Sequence, residues 1–233
     1  GETHLELGSA SGDGAAFDSG TAFSVAFWMR GGGPREMALL QKLDPAAQRR
    51  GYEIVLDESF PVPDLKRAAR LIARLIHRWP EEAIEVRTRE ALPLTAKEGG
   101  SSWHHIAVLY DGSGKAAGLK LYANSRPMEL EIVRDRLAGS IRNDRPLSSG
   151  DKALGGPYKG QLDDLRLYRR LLSPAEVEQL AVHEPVRSVL WDNAPADKRT
   201  RQQKSLLREY FLGRDAPEKL RKLYAELKPA NER

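Results

Sequence analysis

The sequence predicts an all-β sandwich of two antiparallel sheets, followed by a C-terminal helical appendage. Through residues 1–186, short runs of alternating apolar residues are separated by clusters of glycine, proline and aspartate, as at 31–34, 111–112 and 155–157. Many short strands with such turns between them are typical of a sandwich. Helix start signals and helical spacing dominate the chain after residue 172.

The stretch from Ser102 to Tyr122 carries the strongest local signal, because it reads as two strands joined by a polar turn. Apolar and small residues alternate over 106–110 with the two-residue period of a pleated strand. The segment Asp111-Gly112-Ser113-Gly114 supplies a turn, since glycine accepts a positive φ at no steric cost. The second strand then resumes at Leu119.

This hairpin, entered through Trp103-His104-His105, resembles the central hairpin of laminin-G-like domains of the concanavalin A-like lectin/glucanase group. Further segments resemble motifs of that family in the same order, and together they span about residues 1–182: 22–29, 39–42, 51–56, 158–168 and 170–177. The resemblance implies a two-sheet antiparallel jelly-roll sandwich. It also implies that the signature residues of the fold are Trp103, His105, Asp111, Gly112 and Gly160.

A narrower resemblance involves the segments 75–80, 139–142, 201–203 and 207–211. They are similar to a planctomycete version of the domain, which sits inside large surface proteins that also carry a c-type cytochrome module. This resemblance implies that the chain is a piece of a multidomain bacterial protein. It also implies an extracytoplasmic location, in the periplasm or at the cell surface.

Composition excludes several classes of site. The chain of 233 residues has no cysteine, which excludes disulfides, thiolate metal sites and haem attached through CxxCH. It contains no apolar run long enough for a membrane span. Residues 187–233 hold 12 Lys and Arg against 7 Asp and Glu, so the net charge of +4 belongs to the tail. No nucleic-acid-binding motif accompanies that charge, so we expect no nucleic-acid partner.

The segment 63–79 is ambiguous between helix and strand. Its apolar residues fit a helical spacing, but the positions from Leu71 to Trp79 also alternate. We expect an inserted loop over 57–69, with a short helical turn, and a strand from Arg70 to Arg78.

After the sandwich, Ser173-Pro174-Ala175-Glu176 forms a capping box that predicts a helix from Pro174 to about His183. We place the domain boundary after residue 186. Two further helices are expected in the tail 187–233, over about 196–212 and 215–228. Their apolar stripes predict that they pair as an antiparallel hairpin or dock on the sandwich.

The predicted ligand-binding residues are His77, Arg78 and Trp79. Two residues apart on a regular strand, His77 and Trp79 would share a face, and Trp79 would end that strand beside Pro80. An aromatic ring with polar neighbours is the kind of surface that binds a sugar. The alternative is that Trp79 covers the core as a loop residue.

Asp163 is the predicted metal ligand. The resemblance to sandwich lectins implies a structural calcium ion near the closing strand, with Asp13 or Asp18 as a partner. The alternative is that Asp163 accepts hydrogen bonds from backbone amides at a strand end. His104 and His105 point to opposite faces of a strand, so they do not share a metal ion.

The family resemblance predicts a non-catalytic recognition module, with carbohydrate as the ligand and no required cofactor. The alternative is a structural spacer whose partners are neighbouring protein domains. A glycoside hydrolase is the least favoured class, because the chain lacks an E-x-D-x-x-E strand that would place paired carboxylates on one face.

Overall fold

The computed structural model describes residues 5–7, 14–32, 36–59, 67–95, 102–150, 158–191 and 195–232. The chain divides into two units, Gly1–Pro174 and Ala175–Arg233. The sequence placed the boundary after residue 186, so the first helical residues fall in the C-terminal unit instead.

The N-terminal unit contains two antiparallel sheets, which confirms the predicted two-sheet sandwich. The larger sheet contains, in spatial order, β1 (Leu5–Glu6), β12 (Ser148–Ser149), β3 (Glu36–Asp44), β4 (Arg50–Asp57), β5 (Ala68–Arg78), β6 (Glu82–Thr88) and β11 (Leu130–Asp135), with β7 (Leu92–Pro93) paired to the start of β5. The smaller sheet contains β10 (Arg126–Pro127), β9 (Leu119–Ala123), β8 (His104–Tyr110), β2 (Phe23–Gly31) and β13 (Gly160–Tyr168).

Alternating residues of the two sheets face each other and form the core. Phe23 and Phe27 of β2 and Ile54 of β4 are among its most buried side chains. The ring of Phe17 stacks on that of Phe23 with centroids 4.2 Å apart. Burial of this apolar surface is the main favourable contribution to folding of the sandwich.

Strand β5 resolves the ambiguity between helix and strand. It begins at Ala68, two residues before the predicted start. Leu71 and Leu75 face the core, and Ile72 and Ile76 on the opposite face are also buried. A strand that is buried on both faces reads as a nearly continuous apolar run, which also fits a helical period. Most of the predicted loop 57–69, with its short helical turn, falls on 60–66, outside the described residues.

The C-terminal unit is helical: α1 (Pro174–Glu178), a π-helical segment (Gln179–His183), α2 (Glu184–Trp191), α3 (Arg201–Tyr210), a second π-helical segment (Phe211–Asp215) and α4 (Glu218–Glu232). The prediction that the first helix ends near His183 was wrong, because the helical path continues through Pro185. The wider π turn before Pro185 accommodates the missing N–H.

The two tail helices differ from their predicted bounds. Helix α3 starts at Arg201 because Thr200 forms a capping box with Gln203. Helix α4 continues past Pro229 to Glu232. The apolar stripe Leu220, Leu223 and Leu227 is 46–59% exposed, so the expected burial of this stripe in a helix hairpin is not observed. None of the described helices combines the length and apolar character that a bilayer crossing requires.

Candidate functional site

The structure separates His77 from Trp79. The pairing of β5 with β6 is irregular between Ile76 and Arg78, so the regular alternation of side chains is lost at His77. Nδ1 of His77 donates to the carbonyl oxygen of Ser140 at 2.8 Å. Trp79 instead turns towards Arg74, which projects from the opposite face of β5. The two residues therefore do not share the face that the sequence predicted.

The Trp79 ring lies over a charged cluster on the outer face of the larger sheet. The guanidinium carbons of Arg74 and Arg134 both lie 5.1 Å from the ring centroid. Trp79 is half-buried, and its backbone N–H donates to the carbonyl oxygen of Gln48. These cation–π contacts occupy ring surface that a sugar would otherwise cover. Arg78 pairs with Glu82 across the same turn.

Beneath Trp79, cross-strand neighbours of β4, β5 and β6 form a buried row of alternating charge. Arg74 lies opposite Glu53 on one side and Glu85 on the other. Its guanidinium is 3.0 Å from Glu53 and 3.5 Å from Glu85, and all three side chains are at most 7% exposed. Burial opposes the charged form of Arg74, but the neighbouring carboxylates outweigh it and raise its pKa.

A cleft of about 530 Å³ lies at one end of the described sandwich. Three loops that are distant in sequence line it, and we call it the loop cleft. Its lining comprises Asp18, Ser19, Gly20, Thr21, Gly112, Ser113, Gly114, Leu137, Ala138, Gly139 and Ser140. A volume of this size falls in the range of small-ligand sites.

Asp18 connects the first of these loops to the third. Its Oδ1 accepts from the backbone N–H of Ser19 at 2.7 Å and of Ile141 at 3.3 Å. Burial favours the neutral acid, but hydrogen bonds from Ser140, Ser19 and Ile141 outweigh burial and hold the pKa of Asp18 below its usual value. The loop cleft therefore contains an ionised carboxylate at neutral pH.

Tyr110 connects the first loop to the second from below. Its buried hydroxyl donates to the carbonyl oxygen of Ser19 at 2.7 Å and accepts from the N–H of Gly114 at 2.6 Å. Burial raises the pKa of Tyr110, which keeps the phenol protonated and able to donate. His77 holds the third loop through Ser140, so the predicted site residue supports the cleft from behind.

The signature residues serve the fold. Asp111 accepts from the N–H of Ser113 at 2.9 Å and so forms the turn after β8. The buried His105 ring packs edge-on against Trp28, with centroids 5.3 Å apart. The guanidinium of Arg30 lies over the ring of Trp103. A side chain at Gly160 would meet the carbonyl oxygen of Arg30, which explains the glycine there.

Asp163 lies on β13, where the pairing with β2 is irregular. Its Oδ1 accepts a hydrogen bond from the backbone N–H of Asp164 at 2.8 Å. This is the kind of backbone contact that was predicted from the sequence as the alternative to a metal site. Asp13 lies outside the described residues, and Asp18 belongs to the loop cleft. Across the described ranges, no three His, Cys, Asp or Glu side chains come together as metal ligands.

Sequence reasoning missed the loop cleft as a site. Asp18 was considered only as a partner of Asp163 in a calcium site. Gly139-Ser140 was considered only as part of the narrower family resemblance. The available signal was the coincidence of small, polar loop residues at 18–21, 112–114 and 139–140. One sequence does not reveal that these loops meet at the same end of the sandwich.

Comparison with known proteins agrees with the fold. Residues 81–178 match the model of the Laminin_G_3 family, described as the concanavalin A-like lectin/glucanases superfamily. No curated protein matches the sequence. The chain is similar to the binding domain of Paraclostridial Mosquitocidal Protein 1, with a TM-score of 0.51 and 19% identity over 73% of this chain. It spans 39% of the length of that domain.

Two further solved structures show weaker similarity. The native heptameric SAP-like pentraxin from Limulus polyphemus has a TM-score of 0.47 and 12% identity, over 69% of this chain and 71% of that chain. The receptor binding domain of botulinum neurotoxin D has a TM-score of 0.49 and 12% identity, over 79% of this chain and 42% of that chain. The family match over 81–178 and the two antiparallel sheets together identify a concanavalin A-like sandwich.

Proposed function

We propose that the sandwich is a non-catalytic carbohydrate-recognition module and that the loop cleft is its binding site. The observation that carries this proposal is the lining of the cleft. It combines the ionised Asp18 with the hydroxyls of four side chains, Ser19, Thr21, Ser113 and Ser140. Sugar hydroxyls both donate and accept hydrogen bonds, and carboxylate and hydroxyl groups complement them.

The position of the buried carboxylates supports binding rather than hydrolysis. Glycosidic chemistry needs two carboxyl groups that can reach the same bond, and the buried carboxylates nearest to each other across strands β4 to β6 are Glu53 and Glu85. Each is ion-paired, with Arg74 between them, and their side chains are 1% and 7% exposed. Carboxylates held in this way are not available to protonate or attack a glycosidic bond.

Of the segment His77-Arg78-Trp79, the proposal keeps His77, as the residue that holds Ser140 of the third loop in place. The proposal requires no cofactor. A structural calcium ion at Asp163 is a separate proposal, in which the ion would stabilise loops and take no part in ligand chemistry. The module would belong to a multidomain planctomycete protein outside the cytoplasm, as the narrower resemblance implies.

A structural spacer is the second candidate, and the C-terminal helices favour it. Trp191 is 80% exposed, and large apolar side chains are also exposed on α4. Exposed apolar surface of this kind marks contacts with other proteins. On this alternative, neighbouring domains are the partners and the loop cleft binds no glycan.

Two glycines offer a matched test. A Cβ at Gly20, in the cleft, and one at Gly14, outside it, would both meet nothing within 4 Å. Gly20→Trp should therefore fill the cleft without disturbing the fold, and Gly14→Trp should leave it open. We expect polysaccharide binding, measured by calorimetry against a panel, to be lost in Gly20→Trp and retained in Gly14→Trp.

Each measurement is repeated with calcium and with EDTA. Equal binding by both variants would overturn the assignment of the loop cleft, and no binding by the parent chain would favour the spacer. A rise in Tm with calcium that is lost in Asp163→Ala would establish the metal site.

A further inference from the structure

A second cavity, of about 370 Å³, opens at the other end of the segment that forms the third loop of the cleft. Residues 137–140 of this segment line the loop cleft, whereas residues 142–145 line the second cavity. The remaining wall comes from Asp44, Ala47 and Arg50 at the hairpin between β3 and β4. We call this cavity the arginine pocket, because Arg50, Arg142 and Arg145 all line it.

The wall of the arginine pocket is fixed by hydrogen bonds. The side-chain amide of Asn143 donates to the carbonyl oxygens of Lys42 at 3.1 Å and Arg50 at 2.9 Å. Its Oδ1 accepts from the N–H of Arg145 at 2.9 Å. Asn143 reaches these carbonyls because Gly51, at φ +143°, has no side chain where the amide lies. The arginines therefore extend from a pre-formed frame.

The charges of the pocket are not balanced by the protein. Arg145 is paired with Asp44 at 3.1 Å. Within the described part of the chain, the side chains of Arg50 and Arg142 have no acidic partner, and Nε of Arg50 is buried without an acceptor. Asp144 also lines the cavity and opposes part of this positive charge. The three arginines and two aspartates of the lining leave a net charge of +1, with Arg50 and Arg142 available to bind an anion from solution.

We infer that the arginine pocket binds the anionic group of an acidic polysaccharide, a carboxylate or a sulfate, while a neighbouring sugar of the same chain occupies the loop cleft. This inference rests on the proposed function, since the cleft must hold the sugar. A guanidinium matches both groups, because its planar fork donates two parallel hydrogen bonds to a pair of oxygens. The continuous segment 137–145 joins the two subsites.

Matched polymers test the inference. Polygalacturonate is compared with its methyl ester, and chondroitin sulfate with unsulfated chondroitin, at constant ionic strength. We expect an anionic polymer to bind roughly tenfold tighter than its matched counterpart, as one charge-assisted contact would give. The pair that shows the gain distinguishes carboxylate from sulfate.

Three variants locate the effect. Arg50→Gln with Arg142→Gln should remove the gain and leave binding of the less charged polymer unchanged. Arg126→Gln, at a side chain 74% exposed and outside both cavities, should change nothing. Asp144→Asn should strengthen binding of the anionic polymer, because it removes a repulsive charge. Equal losses in the Arg126 variant and the double variant would overturn the inference.

The outcomes also separate this inference from the proposed function. Binding of the less charged polymers without any anionic gain would overturn the arginine pocket and leave the carbohydrate site standing. If no polymer binds, the proposed function fails. Titration with sodium sulfate then tests separately whether the arginine pocket binds an anion. Saturable shifts of the Nε resonances of Arg50 and Arg142 would support an anion site, and their absence would overturn it.

Discussion

The side-chain amide of Asn124 donates from Nδ2 to Nδ1 of His104 at 3.1 Å. Its Oδ1 accepts from the backbone N–H of His105 at 3.0 Å, so one side chain holds the first two residues of β8. Nε2 of His104 donates to the carbonyl oxygen of Pro93 at 2.8 Å. This arrangement requires the neutral tautomer of His104 with its proton on Nε2.

Burial lowers the pKa of His104 below its ordinary value of 6.5, although the bond to Pro93 opposes the shift. The unfolded chain therefore binds a proton near pH 6.5 that the folded chain does not. Stability should be intact above pH 6.5 and fall as the pH decreases below it. Urea unfolding of the parent and His104→Gln from pH 7.5 to 5 should show a weaker pH dependence in the variant. Parallel curves would contradict this assignment.

The turn after β9 offers a stabilising substitution. Asn124 and Ser125 have φ of 51° and 67°, and β9 and β10 pair directly across them, as in a type I′ hairpin. Serine accepts positive φ less readily than glycine. Ser125→Gly should raise the free energy of unfolding by roughly 0.5–1 kcal/mol in urea titration. Asn124→Gly keeps the turn but loses both side-chain hydrogen bonds, so a gain in that variant would argue against their role.

Removal of Arg74 should be strongly destabilising. Arg74→Met leaves Glu53 paired only with the partly exposed Arg49, and Glu85 only with the partly exposed Arg134. Breaking a buried ion pair from one side costs up to about 3–5 kcal/mol, and these remaining pairs should keep the loss towards the lower end. Adding Glu53→Gln and Glu85→Gln removes the under-compensated charges and should recover much of the loss. Chemical unfolding of the single and triple variants checks this, and an equally unstable triple variant would show that packing under Trp79 matters more than charge.

Two glycines of one loop separate backbone strain from steric clash. Gly112 has φ +82°, and a Cβ there would lie 2.9 Å from the backbone of Thr21. Gly114 has φ +71°, but a Cβ would meet nothing within 4 Å. Gly114→Ala should cost about 1 kcal/mol through strain alone, and Gly112→Ala should cost more because the clash is added. Equal losses in thermal unfolding would mean that the loop yields to the new side chain.

Elements governed by local chemistry were predictable from the sequence. The β8–β9 hairpin follows from turn residues that specify their own backbone conformation. Strand β5 was predicted from the alternation of its residues, even though burial of both faces gives its apolar residues a spacing that also fits a helix. Helix ends were less predictable, since Pro185 and Pro229 lie within helices whose paths continue through them.

The candidate site was less accessible to prediction, for geometric reasons. A single irregularity at His77 turns Trp79 onto the opposite face of β5, and the residue spacing contains no sign of it. The loop cleft depends on contacts such as that of Asp18 with Ile141, which are more than 120 residues apart. Tertiary contacts of this kind bring each lining residue into place only when both sheets are assembled.

Asn143 also bears on how the recognition properties of the protein could be changed. The side chain of Asn143 fixes the 137–145 segment to the hairpin between β3 and β4. The residues before and after Asn143 therefore keep their positions independently of each other. Residues 138 and 140 on one side, and 142, 144 and 145 on the other, could then be exchanged independently, each group altering one subsite. Gly139 must stay, because a Cβ there would lie 2.6 Å from the His77 ring, and Leu137 packs against the core. Diversity libraries restricted to the exchangeable positions should yield folded proteins with new ligand preferences.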